Sequence, residues 1–229
     1  MYTGFFEAHI TLKNTNQNIE DFKEFCNENK AKPIFIELER GDVQKQLMTS
    51  SLHNGNFNEI KKEVEQLAAK MKQKNYEVSR VKIEAHPENT GIPMTKSDIL
   101  KSQLENYFEA HYKIILPVFS QAKENLLSLV EKHAAHLSKN AFKKRKNHSE
   151  ERFVTKRMYN VGKTEAYQSF EELHKTLKEN NYQIDKKIVE YCVFDSNVSV
   201  DNNWLTLEEP CYACEAECKM NFNFPQRHL

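Results

Sequence analysis

The chain has 229 residues, with 33 lysines and arginines balancing 33 aspartates and glutamates. Zero formal charge gives no electrostatic sign of a nucleic-acid partner, and the absence of a long apolar run excludes a membrane-spanning helix. Only five glycines occur and none forms a glycine-rich phosphate loop, which excludes P-loop and dinucleotide-binding sites.

The opening segment Met1-Tyr2-Thr3-Gly4 leads straight into a strand, so no secretory signal is expected. Five cysteines are an odd number, which argues for a reducing, cytoplasmic setting rather than a disulfide framework. From Phe5 to Leu12 apolar and polar residues alternate with the period of a half-buried strand. A helix follows, with Ile19, Phe22, Phe25 and Cys26 on one face. Pro33 to Leu38 reads as a strand, Arg40-Gly41-Asp42 as a turn, and Gln46 to Ser50 as the hairpin partner. Asn56 with Glu59 resembles a capping box ahead of Phe57, Ile60, Val64, Leu67 and Met71 at helical spacing. Val78 to Ala85 is the closing strand. The order strand, helix, strand, strand, helix, strand is that of a ferredoxin-like unit.

The same order returns. Tyr107 to Leu116 is a strand, and Leu126, Leu127, Val130 and His133 mark a helix. Leu137 to Phe142 and Arg152 to Arg157 are strands, Phe170, Leu173 and Leu177 mark a second helix, and Ile188 to Phe194 is the last strand. The local strings repeat as well. Phe5-Phe6-Glu7-Ala8-His9 returns as Tyr107-Phe108-Glu109-Ala110-His111, Asn75-Tyr76 as Asn181-Tyr182, and Glu84 as Glu190. From Gln46 to His86 the halves align without a gap, pairing Thr49 with Thr155. The expected architecture is therefore α+β, with internally duplicated ferredoxin-like units packed about a pseudo-twofold axis. Its parts are repeat 1 over residues 1–86, a linker over 87–103, repeat 2 over 104–195, and an irregular tail over 196–229. Lys143-Lys144-Arg145-Lys146 falls in a hairpin turn, read as a solvated loop or as a nucleic-acid contact. In the tail, Cys211, Cys214 and Cys218 would hold a structural zinc if Cys192, His228 or a second chain supplied a fourth ligand. The alternative is an acidic tail with incidental thiols.

Placing the apolar strand residues against the helices leaves a polar set on the other sheet face. It comprises Glu7, His9, Thr11, Thr49, Ser51, Arg80, Lys82 and Glu84, then Glu109, His111, Lys113, His136, Ser138, Asn140, Thr155, Arg157 and Glu190. Such a set is either a wet sheet face or a cleft in which paired histidines move protons. In the second case His9 and His111, with His136 as substitute, are the acid and base. Thr11, Lys113, Lys82 and Arg157 would then stabilise charge on a phosphate ester. Thr49, Glu84, Thr155 and Glu190 complete the expected binding set, and Ser138 accompanies His136. No acidic cluster in the sequence suggests a magnesium site, so no catalytic cofactor is expected.

His9-Ile10-Thr11-Leu12 resembles the His-x-Thr/Ser signature of the two-histidine phosphoesterases. That resemblance implies duplicated α+β units, one motif per half, lining a central cleft that resolves phosphate esters without metal. The symmetric string is His111-Tyr112-Lys113, with lysine in place of the hydroxyl residue, while His136-Leu137-Ser138-Lys139 carries the motif on another strand. Ile36-Glu37-Leu38-Glu39-Arg40 and Val81-Lys82-Ile83-Glu84 are similar to the alternating charges of triphosphate-tunnel enzymes. Those enzymes open on Glu-x-Glu-x-Lys, where this chain has Glu7-Ala8-His9-Ile10-Thr11. The expected partner is a phosphorylated small molecule or nucleotide, or RNA, and no membrane. The competing expectation is a non-catalytic module that binds protein or RNA through Phe5, Tyr107, Tyr112 and Phe153.

Overall fold

The computed structural model describes residues 1–118, 121–143, 145 and 148–205. It is an α+β fold. The first half runs β1 (Thr3–Leu12), α1 (Ile19–Glu28), β2 (Lys32–Leu38), β3 (Lys45–Asn56), α2 (Phe57–Gln73) and β4 (Val78–Ala85). The second runs β5 (Tyr107–Pro117), α3 (Ala122–Glu131), β6 (Ala135–Asn140), β7 (Ser149–Tyr159), α4 (Lys163–Glu179) and β8 (Gln183–Asp195). The two long helices begin and end where local chemistry directs. Asn56 caps α2 by accepting from the Asn58 amide, so a single side-chain cap replaces the expected capping box. Asn75 and Asn181, just beyond α2 and α4, adopt φ of 63° and 60°. Asparagine tolerates this left-handed position, which gives the repeated Asn-Tyr string a structural meaning as a helix stop.

All strand pairs are antiparallel, and the strands close into one barrel in the order β1-β3-β2-β6-β7-β5-β8-β4. Two seams join the halves. At one, Ile36, Glu37 and Leu38 of β2 lie opposite Asn140, Lys139 and Ser138 of β6; at the other, β4 pairs with β8. Closure removes the four sheet edges that two separate units would present. It also corrects the expected cleft between two sheets. The polar faces instead line the lumen of a single barrel.

Helices pack outside. Phe6, Ala8, Ile10 and Leu12 of β1 join Phe22, Ile60, Val64 and Met71 of the helices in the buried core, and β5 and α4 contribute Ala110, Tyr112, Phe170 and Leu173. Phe170 is fully buried, and its carbonyl accepts the Tyr112 hydroxyl at 2.5 Å. Phe170→Ala should therefore cost about 3–5 kcal/mol, read from the urea midpoint. A loss below about 1 kcal/mol would mean that α4 does not anchor the barrel wall. Among the described residues, no helix is long and apolar enough to cross a membrane.

Candidate functional site

Directly opposed residues on antiparallel strands share a face. With Phe6, Ala8 and Ile10 on the helices, the lumen receives Glu7, His9 and Thr11 from β1 and Glu84, Lys82 and Arg80 opposite them on β4. From the other half it receives Tyr107, Glu109, His111 and Lys113, with Arg157 and Thr155 from β7 and Glu190 from β8. His136 and Ser138 of β6 also face inward, opposite Thr155 and Phe153.

Two expected residues are misplaced. Thr49 lies opposite Ile10 and Ser51 opposite Ala8, so both point to the helix side. The lumen position opposite His9 is Ser50, as Thr155 is opposite His111. Ser50 donates to Glu7 Oε1 at 2.5 Å. The cause is a one-residue difference in spacing: six residues lie between Ser50 and the start of α2 at Phe57, and seven between Thr155 and the start of α4 at Lys163. A one-residue slip exchanges the faces of a strand.

One end of the lumen is closed by the segment after β8. Asp201 accepts from Arg157 Nη2 at 2.8 Å and Gln46 Nε2 at 3.3 Å, and forms an ion pair with Arg80 Nη1 at 2.9 Å. Asp195 takes a two-pronged bond from Arg80, at 2.9 and 2.5 Å, and the Tyr107 hydroxyl at 2.6 Å. The Arg157 guanidinium lies 4.0 Å from the Tyr107 ring centre. Trp204 donates its indole N–H to the Leu137 carbonyl at 3.2 Å. Exposure then rises toward the other end, from 5% for the Arg80 and Arg157 side chains to 17% for His9, 22% for His111 and 31% for Glu7. The histidines therefore sit at the accessible end, above a sealed charged floor.

Each histidine is bracketed by carboxylates. His9 Nε2 lies 3.2 Å from Glu84 and 3.6 Å from Glu7. His111 Nε2 lies 3.5 Å from Glu190 and 3.8 Å from Glu109. The other ring nitrogens are pinned, His9 Nδ1 on the Thr49 carbonyl at 3.2 Å and His111 Nδ1 on the Thr155 hydroxyl at 2.9 Å. Their titration differs. Burial pulls His9 down, but its bond to Glu84 and the charges of Glu84 and Glu7 outweigh it and raise its pKa. Burial dominates at His111 and lowers its pKa, helped by the positive charges of Lys82 and His9. Glu109, despite burial, is held at about 2 by Arg157 and Lys82. Glu190 is pushed well up by burial and by the neighbouring charges of Glu84 and Glu7.

The permanent cations expected to hold phosphate are engaged. Lys82 bridges Glu84 and Glu109, and Arg157 bridges Glu109 and Asp201. The connected network holds six carboxylates (Glu7, Glu84, Glu109, Glu190, Asp195, Asp201) against three permanent cations (Arg80, Lys82, Arg157). Lys113 stands at the mouth, paired with Asp185 at 2.7 Å and Glu151 at 3.8 Å. Thr11 lies one step deeper than His9, opposite Arg80. His136 belongs to the closed end: its Nδ1 accepts from Arg40 at 3.1 Å, and its ring lies 6.2 Å from that of Trp204. Ser138 is buried opposite Leu38 and Phe153. Closure thus brings His111 into the same carboxylate cluster as His9 and leaves His136 at the closed end.

The sequence reading found no acidic cluster, yet the barrel assembles one, since ligand atoms of Glu84, His111 and Glu190 lie within 4.8 Å of one another. Tyr107, expected as a contact aromatic, lies in this network instead, and Asp195 and Asp201 join it without having been expected. Tyr107 continues the alternation of β5, whereas Asp195 reaches the lumen only through the register shift between β4 and β8, which no sequence period shows; Asp201 carries no spacing signal. Cys211, Cys214, Cys218 and His228 lie outside the described residues, while Cys192 is buried in the lumen with its thiol pushed up to about 12 by burial. Lys144 and Lys146 also lie outside them, and Arg145 pairs with Glu151 at 3.1 Å. A surface hollow of about 590 Å³ lined by Ile115, Ala122, Asn125 and Tyr182 contains none of the expected site residues.

No protein-family model matches the chain, and neither does any curated protein sequence. Among solved structures, the chain is similar to a putative monooxygenase from Fusobacterium nucleatum subsp. nucleatum, at 10% identity over 86% of this chain and 96% of that one, with a TM-score of 0.27. It is also similar to a mutant chlorite dismutase from Candidatus Nitrospira defluvii, at 9% identity over 84% and 92%, with a TM-score of 0.28.

Proposed function

We propose that the chain is an acid–base hydrolase of a phosphate ester, built from two duplicated ferredoxin-like units about a pseudo-twofold axis and working at the accessible end of the lumen. The observation that carries this reading is the pair of carboxylate-bracketed histidines, each fixed through Nδ1 and presenting Nε2 to the same space. Pairs of titratable groups driven apart by their surroundings are a mark of acid–base sites. His9, with carboxylates on one nitrogen and a carbonyl on the other, is set to donate. His111, whose pKa is lowered, presents the basic nitrogen that activates water. Water attacks phosphorus, the ester P–O bond breaks, His9 protonates the departing alcohol oxygen, and the proton of the water passes to the basic side. Roughly 10²–10⁴-fold is at stake in such a proton transfer.

The test is turnover of a panel of cyclic and linear phosphate esters by wild type, His9→Ala and His111→Ala, with folding followed in parallel. Turnover should fall by at least about a hundredfold in each variant while both stay folded. Unchanged turnover in folded His9→Ala would end the proposal, and so would a wild type inactive on the whole panel.

A further inference from the structure

A phosphate ester entering this lumen meets a difficulty of charge. The network around the histidines carries six carboxylates and three permanent cations, all three already paired. Glu190 has its own difficulty. Its carboxyl group is 15% exposed, and among the described residues its single ion-pair contact is His111 at 3.5 Å. A buried carboxyl without a strong partner takes up a proton, as the raised pKa of Glu190 indicates, or gives that proton up to coordinate a metal. Glu84 is 2% exposed, and its Oε1 has Lys82 Nζ as an ion-pair partner at 2.6 Å.

We infer that Glu84, His111 and Glu190 form a site for one divalent cation of the Mn²⁺ or Zn²⁺ class. Their ligand atoms lie within 4.8 Å of one another, and His111 Nε2 is 3.5 Å from Glu190 Oε2. Ligands at about 2.1 Å from a tetrahedral ion stand about 3.4 Å apart, so one edge of the site is already set and Glu84 has under about 1.5 Å to close. The imidazole is prepared as metal-bound histidines are, with the far nitrogen fixed by an oxygen and the near one directed at the ion. Two carboxylates and one imidazole suit Mn²⁺ or Zn²⁺ and leave coordination positions open for water and a phosphate oxygen. Lys82 opposes the ion from the Glu84 side, but Glu109 shares that lysine, and the network retains its carboxylate excess. The inference rests on the proposed hydrolysis only for its substrate: Glu84, His111 and Glu190 would hold the ion, which would supply Lewis-acid activation of a water and offset the charge of the ester.

Mn²⁺ alone, added to the full chain without substrate, is the probe. Soft thiols such as those of the tail are poor ligands for it, and it reports its own coordination by electron paramagnetic resonance. One saturable Mn²⁺ per chain is expected, with nitrogen hyperfine coupling from one imidazole and at least about tenfold weaker binding in Glu190→Gln and in His111→Gln. Absence of saturable binding to wild type overturns the inference. So does bound Mn²⁺ without nitrogen coupling, a readout that stands even if a variant fails to fold. Binding unchanged in both variants overturns it too. Ester turnover without Mn²⁺ binding would leave the hydrolase and remove the ion, and binding without turnover would do the reverse.

Discussion

Arg157→Met is expected to destabilise the barrel by about 3–5 kcal/mol, because breaking a buried ion pair leaves its partner charged and unpaired. Two partners are affected here. Arg157 Nε donates to Glu109 at 2.7 Å and Nη2 to Asp201 at 2.8 Å, with all three side chains at most 5% exposed. The guanidinium also covers the Tyr107 ring, and methionine recovers only part of that packing. The double variant Arg157→Met with Glu109→Gln removes one stranded charge, so its cost should fall well short of the sum of the single costs, since members of one network are non-additive. Urea midpoints of the four proteins decide this. A single-variant cost below about 1 kcal/mol would mean that the closed end of the lumen admits water, and additive costs would mean that Glu109 and Arg157 are not coupled.

The closed end explains why the accessible end can hold its histidines where it does. Asp201 ties β4, β7 and the β3 residue Gln46 to the segment after β8, and Asp195 fixes Arg80 against Tyr107. A floor of satisfied pairs lets carboxylate crowding persist one layer above, at Glu84 and Glu190. Preorganised charge in a water-poor lumen acts more strongly than the same charge in solvent.

Much of the wall was legible from the chain. Alternation placed His9, Lys82, Glu84, Glu109, His111, Arg157 and Glu190 on one face, because a strand's period of two leaves no choice once its apolar residues are assigned. Thr49 was misassigned because a gapless alignment absorbs the one extra residue that lies between the lumen position of β7 and α4, compared with β3 and α2. Barrel closure was not legible. It depends on the β2–β6 seam, where three residue pairs link positions about a hundred apart in sequence, and no local pattern encodes such a contact. For the same reason the Glu84, His111 and Glu190 cluster was invisible, since each residue reads locally as an ordinary polar strand position. Asp201 sits in a stretch without periodicity, and its role exists only when Arg80 and Arg157 converge on it.

His136 gives the second large effect, on the pH dependence of stability. Burial, together with the positive charges of Arg40 and Arg157, lowers its pKa from 6.5 to about 4. Its Nδ1 accepts from Arg40, a bond that a protonated ring cannot keep. The unfolded chain binds the proton near pH 6.5, whereas the folded chain resists it until about pH 4. The stability from this group is therefore complete above the unfolded value and is lost as pH falls through the window from 6.5 to 4. At about 1.4 kcal/mol per unit, the loss is on the order of 3 kcal/mol. Since the ring packs against Trp204 beneath Arg40, acidification should loosen the segment that closes the barrel before the rest of the wall. Denaturant midpoints of wild type and His136→Gln, measured between pH 7 and 4, separate this group from the carboxylates, and Trp204 fluorescence follows the segment. The wild-type curve should fall more steeply than that of the variant across this window. Parallel curves would place the acid sensitivity elsewhere in the network.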